Sequence, residues 1–474
     1  MKKPMKNAYL LKLTVVATLG GLLFGYDTAV ISGTVGALES FFILPFGLDE
    51  TSANSRLGML VSSALIGCII GGIIGGWVSK RFGRRNGMIL AAFLFLLSAL
   101  GSAMPEMLIK PLGEGDHNLI YVFIAYRILG GIGVGLASML SPLYIAEIAP
   151  SKIRGQLVSM NQFAIIFGML VVYFVNYYIA GQGDDMWLNT VGWRWMFASE
   201  TIPATLFLLM LLMVPDTPRS LILRGKSAQA LDILTKVNGA AKAEEISNEI
   251  LKTVGQSSGK LLSYGVPVIV IGMLLCIFQQ FVGINVVLYY APEIFKSMGS
   301  VTDAALLQTI IIGAVNLIFT VVAIYFVDKM GRRPLMMIGA FGMACSMFIL
   351  GTLFFLQSTG VFALLCMVLY VASFAMSWGP VTWVLVSEIF PNQIRGKAMA
   401  LAVAVMWISN YIVSWTFPIM DKNSFLIERF HNGFAYWVYG IMGILALIFI
   451  WKFVPETKGK SLEEMEMIWQ ETTN

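Results

Sequence analysis

Charge is scarce in this 474-residue chain: Asp, Glu, Lys and Arg make up 12% of it, against 57% hydrophobic residues. A soluble domain carries roughly 25% charged residues, so this chain cannot cover a water-facing surface of normal size. Lipid must be its main solvent. Histidine is nearly absent. His117 and His431 both fall between apolar stretches, which leaves no ligand set for a metal. The four cysteines, Cys68, Cys276, Cys345 and Cys366, lie within apolar runs, where single thiols act as small packing residues. Their spacing gives neither a disulfide framework nor a metal site. No nucleophile–base pair appears either, so no enzyme and no cofactor is expected.

What the chain has is length in apolar runs. Twelve recur, at about 10–34, 55–79, 87–104, 119–145, 156–180, 195–214, 263–290, 305–327, 335–356, 361–387, 397–419 and 433–453. Each can cross a hydrocarbon core of roughly 30 Å as a helix. The first run follows a basic start but is too long for a cleavable signal. The Lys and Arg orient the chain. Of 32, 25 fall at the N-terminus, in alternate loops, in the 215–262 segment and after the last span; six fall in the opposite loops, and Arg127 lies inside a span. By the positive-inside rule both termini and the central segment face the cytoplasm. That topology accounts for the net charge of +5 without a nucleic-acid partner.

The loops repeat. Gly83-Arg84-Arg85 returns as Gly331-Arg332-Arg333, 248 residues later. Glu147-Ile148-Ala149-Pro150-Ser151-Lys152-Ile153-Arg154-Gly155 returns as Glu388-Ile389-Phe390-Pro391-Asn392-Gln393-Ile394-Arg395-Gly396, 241 later, and Pro215-Asp216-Thr217-Pro218 returns as Pro455-Glu456-Thr457-Lys458, 240 later. The chain thus reads as an all-α membrane protein of two pseudo-symmetric six-helix bundles with substrate held between them at the midplane. The bundles span 1–214 and 263–455. A cytoplasmic linker, 215–262, carries short amphipathic helices at about 228–237 and 244–251, and a tail spans 456–474.

Few ionisable residues sit inside the runs: Asp27 in the first, Arg127 in the fourth, Glu200 in the sixth. An intramembrane charge costs about 2.5–3.5 kcal/mol on insertion scales, so such residues pair or line a water-filled path. Asp27 and Arg127 are the natural pair. As a proton site, Asp27 would hold the coupled proton while Arg127 tunes its affinity; otherwise the pair is a static tie between two helices. Glu200 is open between a proton relay and an external-edge residue.

A second group is uncharged. The seventh run holds Gln279, Gln280, Gly283, Asn285 and Tyr289; Gln162 lies in the fifth, Asn316 in the eighth, Trp383 in the tenth and Trp407 in the eleventh. Asn285 and Tyr289 share a helical face. Gln279 and Gln280 join it only if the helix distorts near Gly283. Amides serve both lone pairs and protons of sugar hydroxyls, and an indole face covers the C–H side of the ring. The plainer alternative is that these amides bond across helices. Gly67, Gly71, Gly75, Gly131 and Gly135 read as close helix packing. In the repeated loops, Arg84, Glu147 and Arg154, with Arg332, Glu388 and Arg395, are expected to form salt-bridge networks that close the cytoplasmic side. Topology alone explains loose basic residues, but not two glutamates returning at matched positions.

Together these motifs, with Gly379-Pro380…Trp383 and Pro455-Glu456-Thr457-Lys458-Gly459, resemble the sugar porter branch of the major facilitator superfamily from about Ala8 to Trp469. The resemblance implies alternating access and proton-coupled uptake of a neutral monosaccharide, D-xylose first, in the bacterial inner membrane. It implies Asp27 as proton acceptor with Arg127 as partner, and Gln162, Gln279, Gln280, Asn285 and Trp383 on the sugar. Uniporters of the branch carry a neutral residue where Asp27 stands. One departure is Met406, beside Trp407, where bacterial xylose carriers of this branch have a glutamine; a thioether cannot replace an amide donor. Glucose–proton or galactose–proton symport and facilitative uniport are the alternatives, followed by a non-transporting sensor, although only about twenty residues follow the last span. The expected partners are sugar, proton and lipid, and the chain is expected to be monomeric.

Overall fold

A computed structural model describes residues 8–111, 113–150, 153–254, 261, 264–391 and 393–459. Twelve of its helices are long and apolar enough to cross a membrane: α1 (Ala8–Gly33), α2 (Glu50–Phe82), α3 (Arg84–Ala103), α4 (His117–Ile148), α5 (Arg154–Ala180), α6 (Asp185–Leu212), α7 (Val266–Ser297), α8 (Thr302–Val327), α9 (Arg332–Phe355), α10 (Val361–Ile389), α11 (Arg395–Asp421) and α12 (Phe434–Phe453). Several outrun their apolar cores. α2 starts at Glu50 because Asp49 caps it, its carboxylate accepting from Ser52 N at 3.0 Å.

The packing order repeats between halves. α2 lies on α4, α3 on α4 and α6, and α1 on α5; in the second half α8 lies on α10, α9 on α10 and α12, and α7 on α11. The α2–α4 approach needs its glycines. A methyl at Gly131 would stand 1.8 Å from Ala64 O, and one at Gly67 would stand 2.0 Å from Ile128 O. The halves meet along α2–α11 and α5–α8, which are themselves equivalent pairs.

Between α6 and α7 lie three shorter helices, Pro218–Leu223, Ser227–Asn238 and Ala240–Val254. The expected 228–237 and 244–251 segments fall within the latter two. Leu221, Ile222, Ala230 and Ile233 form a small apolar cluster of their own there. Residues 255–260 and the tail from 460 lie outside the described residues.

Two spans are broken. α7 stops at Phe281 and restarts at Ile284, with Gly283 at φ 92°, a left-handed conformation that glycine takes without strain. α10 stops at Met376 and restarts at Trp378, with Pro380 in the new first turn where no N–H is required. Tyr370 Oη, on the first part of α10, donates to Val282 O at 2.7 Å and so satisfies a carbonyl at the α7 break.

Candidate functional site: a buried ion pair and a line of amides

α1 carries Asp27 and α4 carries Arg127 to the same depth. Arg127 Nη1 donates to Asp27 Oδ1 at 2.7 Å and Nη2 to the Asp27 carbonyl at 3.1 Å. Both side chains are 1% exposed or less. Asp27 Oδ2 has no hydrogen-bond partner among the described residues. Glu200, at the junction between two parts of α6, is fully buried against this pair, its carboxyl within hydrogen-bond reach of Asp27 when one of the two is protonated. Of its two possible placements, at the edge or beside the ion pair, the fold gives the second. Arg127 also stacks over Phe197, 5.3 Å from the ring centre.

The amides assemble at the two breaks. Gln279 Nε2 donates to Trp378 O at 2.9 Å and Gly379 O at 3.3 Å, across to the restart of α10. Gln280 Nε2 donates to Gln279 Oε1 at 3.4 Å, and Asn285 Nδ2 reaches back over Gly283 to Gln280 Oε1 at 2.6 Å. The break at Gly283 is therefore what lets Asn285 join Gln279 and Gln280. Unwound backbone and side-chain amides satisfy one another here, so a ligand at this line would exchange bonds rather than fill unmet ones.

The remaining expected residues are spread around this line. Trp383 is half-buried on the second part of α10, and Gln162 is half-buried on α5. Asn316 is buried on α8; neither it nor Gln162 is bonded to the line in this conformation. Met406 and Trp407 are buried on α11, and Trp407 packs on Phe24 of the first half with ring centres 5.6 Å apart. Tyr289 Oη accepts from Asn410 Nδ2 at 3.4 Å, not from the glutamines, and Ser414 Oγ donates to Asn410 Oδ1 at 3.0 Å. Sequence reasoning missed Asn410, although it lies three residues past Trp407.

The repeated loops form two matched networks, each within its own half. Arg84 bonds Glu147 at 2.7 Å, and Thr217 Oγ1 donates to the same carboxylate at 2.5 Å. Arg332 grips Glu388 with two nitrogens, at 3.1 and 2.9 Å, and Thr457 Oγ1 donates to it at 2.5 Å. Arg154 and Arg395 instead bond carbonyls five residues back, Ala149 O and Phe390 O. Asp216 and Glu456 complete the networks and were missed. Asp216 accepts from the backbone N–H groups of Arg84 and Arg85, and Glu456 from those of Arg332 and Arg333. Their recurrence 240 residues apart was the available signal.

On the side opposite the termini the two halves are tied together. Lys422 pairs with Glu39, Trp415 Nε1 donates to Ser55 O at 3.1 Å, Asn54 to Lys422 O at 3.3 Å, and Tyr173 Oη to Leu288 O at 3.0 Å.

The family model described as "Sugar (and other) transporter" matches residues 13–469. The chain belongs to this sugar transporter family. As a sugar porter it is 61% identical to the D-xylose-proton symporter of Escherichia coli (strain K12), over 100% of this chain and 98% of that one. It is 42% identical to the glucose facilitated diffusion protein of Zymomonas mobilis, over 99% of each. A solved structure titled as the inward open conformation of the xylose transporter XylE from E. coli superposes with a TM-score of 0.89 at 59% identity, covering 97% of this chain and all of that one. The fold of this sugar porter is therefore that of the major facilitator superfamily, and the chain is a multi-pass membrane transporter.

Proposed function

We propose that this sugar porter couples uptake of D-xylose to a proton by alternating access, in a bacterial inner membrane with both termini cytoplasmic. The observation that carries the reading is the Asp27–Arg127 pair. A carboxylate with one oxygen on a guanidinium and a second carboxyl beside it has a place for a proton, and taking that proton weakens the hold of the arginine. Glu200, the neighbouring carboxyl, stands where it would share or relay that proton. The full-length similarity to a D-xylose-proton symporter supports the substrate, and the 25 basic residues on the terminal side support the orientation.

In this reading Gln279, Gln280 and Asn285 hold the sugar hydroxyls, Gln162 and Asn316 add amides from facing spans, and Trp383 and Trp407 cover the ring. Tyr289 and Met406 complete the wall. The ties around Lys422 then seal the external side, and the Glu147 and Glu388 networks are the two faces that meet when the cytoplasmic side closes. The second reading is glucose–proton symport, left open by Met406, whose buried thioether offers a hydroxyl no donor.

Asp27→Asn tests the proton role. It should abolish pH-driven accumulation while leaving sugar counterflow measurable, because the amide holds the site in one proton-loaded-like state. Full proton-driven accumulation in that variant removes Asp27 from coupling.

A further inference from the structure

Buried hydroxyls in membrane helices normally return to their own backbone. Thr14, Ser62, Ser346 and Ser377 do so here, each donating to the carbonyl four residues back. Ser98 and Ser102 on α3 do not. Both are fully buried, and neither Oγ has a hydrogen-bond partner among the described residues. They stand one turn apart on one face of the helix. Arg127 Nε likewise lacks a partner, while Asp27 Oδ2 and the Glu200 carboxyl lie close enough for one shared proton to pair them. A buried polar atom left unpaired costs about 1–3 kcal/mol, and ordered water is the usual remedy where several converge.

Gly130 places this group of atoms. A methyl there would stand 2.3 Å from Ser98 Oγ and 3.2 Å from Asp27 Oδ1. The hydroxyl and the carboxylate are therefore no farther apart than those two distances together, a separation one water can bridge. Ser102 leads the other way. The next carbonyl, Ala103 O, accepts from Arg194 Nη1 at 3.0 Å, and Arg194 also holds Glu106. Burial pushes the Glu106 carboxyl up, but its own backbone, Arg194 and Gly113 hold it below its ordinary range. An anion therefore marks the external end of α3 at neutral pH. Between Arg194 and Arg127 lies an aromatic cluster: Phe41, Phe42, Phe123, Trp193 and Phe197 pack with centres 4.8 to 6.4 Å apart. Arg194 caps the cluster over Trp193, and Arg127 caps it over Phe197.

We propose that Ser98 and Ser102 hold a chain of ordered waters joining the external Glu106–Arg194 pair to Asp27 and Glu200, so that the proton travels within the N-terminal half by a route separate from the sugar's. Each hydroxyl accepts a proton from the water on one side and releases its own to the next, so the serines are unchanged after a transfer. They position water and hold no net charge. This rests on Asp27 as the proton site.

The test uses full-length protein in liposomes with D-xylose as the probe, comparing Ser98→Ala and Ser102→Ala with wild type and Asp27→Asn. Proton-driven uptake should slow roughly two- to tenfold in each serine variant, the worth of one hydrogen bond in a rate. The solvent deuterium isotope effect should rise, and sugar counterflow should stay at the wild-type rate. Wild-type proton-driven rates and isotope effects in both variants, beside an uncoupled Asp27→Asn, would overturn the water route alone. Equal losses in uptake and counterflow would also overturn it, because a packing defect slows both. Coupling retained in Asp27→Asn would instead defeat the underlying proton assignment.

Discussion

Glu456 offers the most direct measure of what the repeated loops do. Its Oε1 accepts from the N–H groups of Arg332 at 3.1 Å, Thr457 at 2.9 Å and Lys458 at 2.8 Å, and its Oε2 from Arg333 N at 3.0 Å. One carboxylate thereby pins the chain after α12 to the start of α9 and sets Thr457 on Glu388. In Glu456→Gln the amide oxygen keeps three of these bonds without charge, and its NH2 faces the Arg333 donor. One bond is lost and three are weakened, at about 1 kcal/mol each. Halved for a site partly open to water, the cost is about 2 kcal/mol, or about 30-fold in the opening equilibrium. Hydrogen exchange of peptides covering 330–335 and 452–459 would read it directly. The pH dependence follows from the same bonds. Burial works against the charge of Glu456, but the four backbone donors outweigh it and hold the carboxyl below its ordinary value of 4.5. A carboxyl lowered by folding stabilises above its unfolded pKa and loses that contribution as pH falls through the folded one. Protection should therefore be full at pH 7 and fade below about pH 4. Wild-type exchange in Glu456→Gln at pH 7 would refute the account and leave Glu456 as an incidental surface charge.

Gln280→Ala should weaken sugar binding several-fold by calorimetry, one neutral hydrogen bond at about 0.5–1.5 kcal/mol, without loss of folding; wild-type affinity would take the amide line out of the pocket. Met406→Gln should tighten D-xylose binding by a similar factor, and unchanged or weaker xylose affinity would put glucose ahead of it. Lys422→Glu sets two like charges against each other at Glu39. Distances between labels on the external ends of α1 and α11 should lengthen, and an unaltered distribution would mean the pair does not hold the seal.

Much of this was legible for a simple physical reason. Apolar runs long enough to cross lipid have few other uses, so the spans and their pairing by repeat could be read directly. The break in α7 was legible because Gly283 interrupts a helix whose amides otherwise point apart. The break in α10 was not read, although Pro380 belongs in the first turn of a new helix better than in the middle of an old one. Asp216 and Glu456 were passed over because acidic residues in basic loops look like charge balance. What distinguishes them is that they accept backbone donors from another segment, which only the fold displays. Ser98 and Ser102 were illegible in principle, since the many serines that bond their own helix have the same sequence signature. Glu200 needed the fold to decide which way it faces, since only there is it seen buried beside Asp27 and Arg127.

The placement of polar groups has a consequence for how such a carrier changes over time. Every intramembrane charge at the candidate site, Asp27, Arg127 and Glu200, is in the first half, while the bonded amides and Met406 are in the second. The two halves descend from one duplicated ancestor yet have kept different chemistry. With Met406 in the sugar wall, as proposed, a substitution there would alter which sugar fits without disturbing the ion pair. On the proposed proton role of Asp27, loss of that carboxylate would convert an accumulating carrier into an equilibrating one with its taste for sugar intact. Inheritance could thus shuffle driving force and cargo as separate traits, one half at a time.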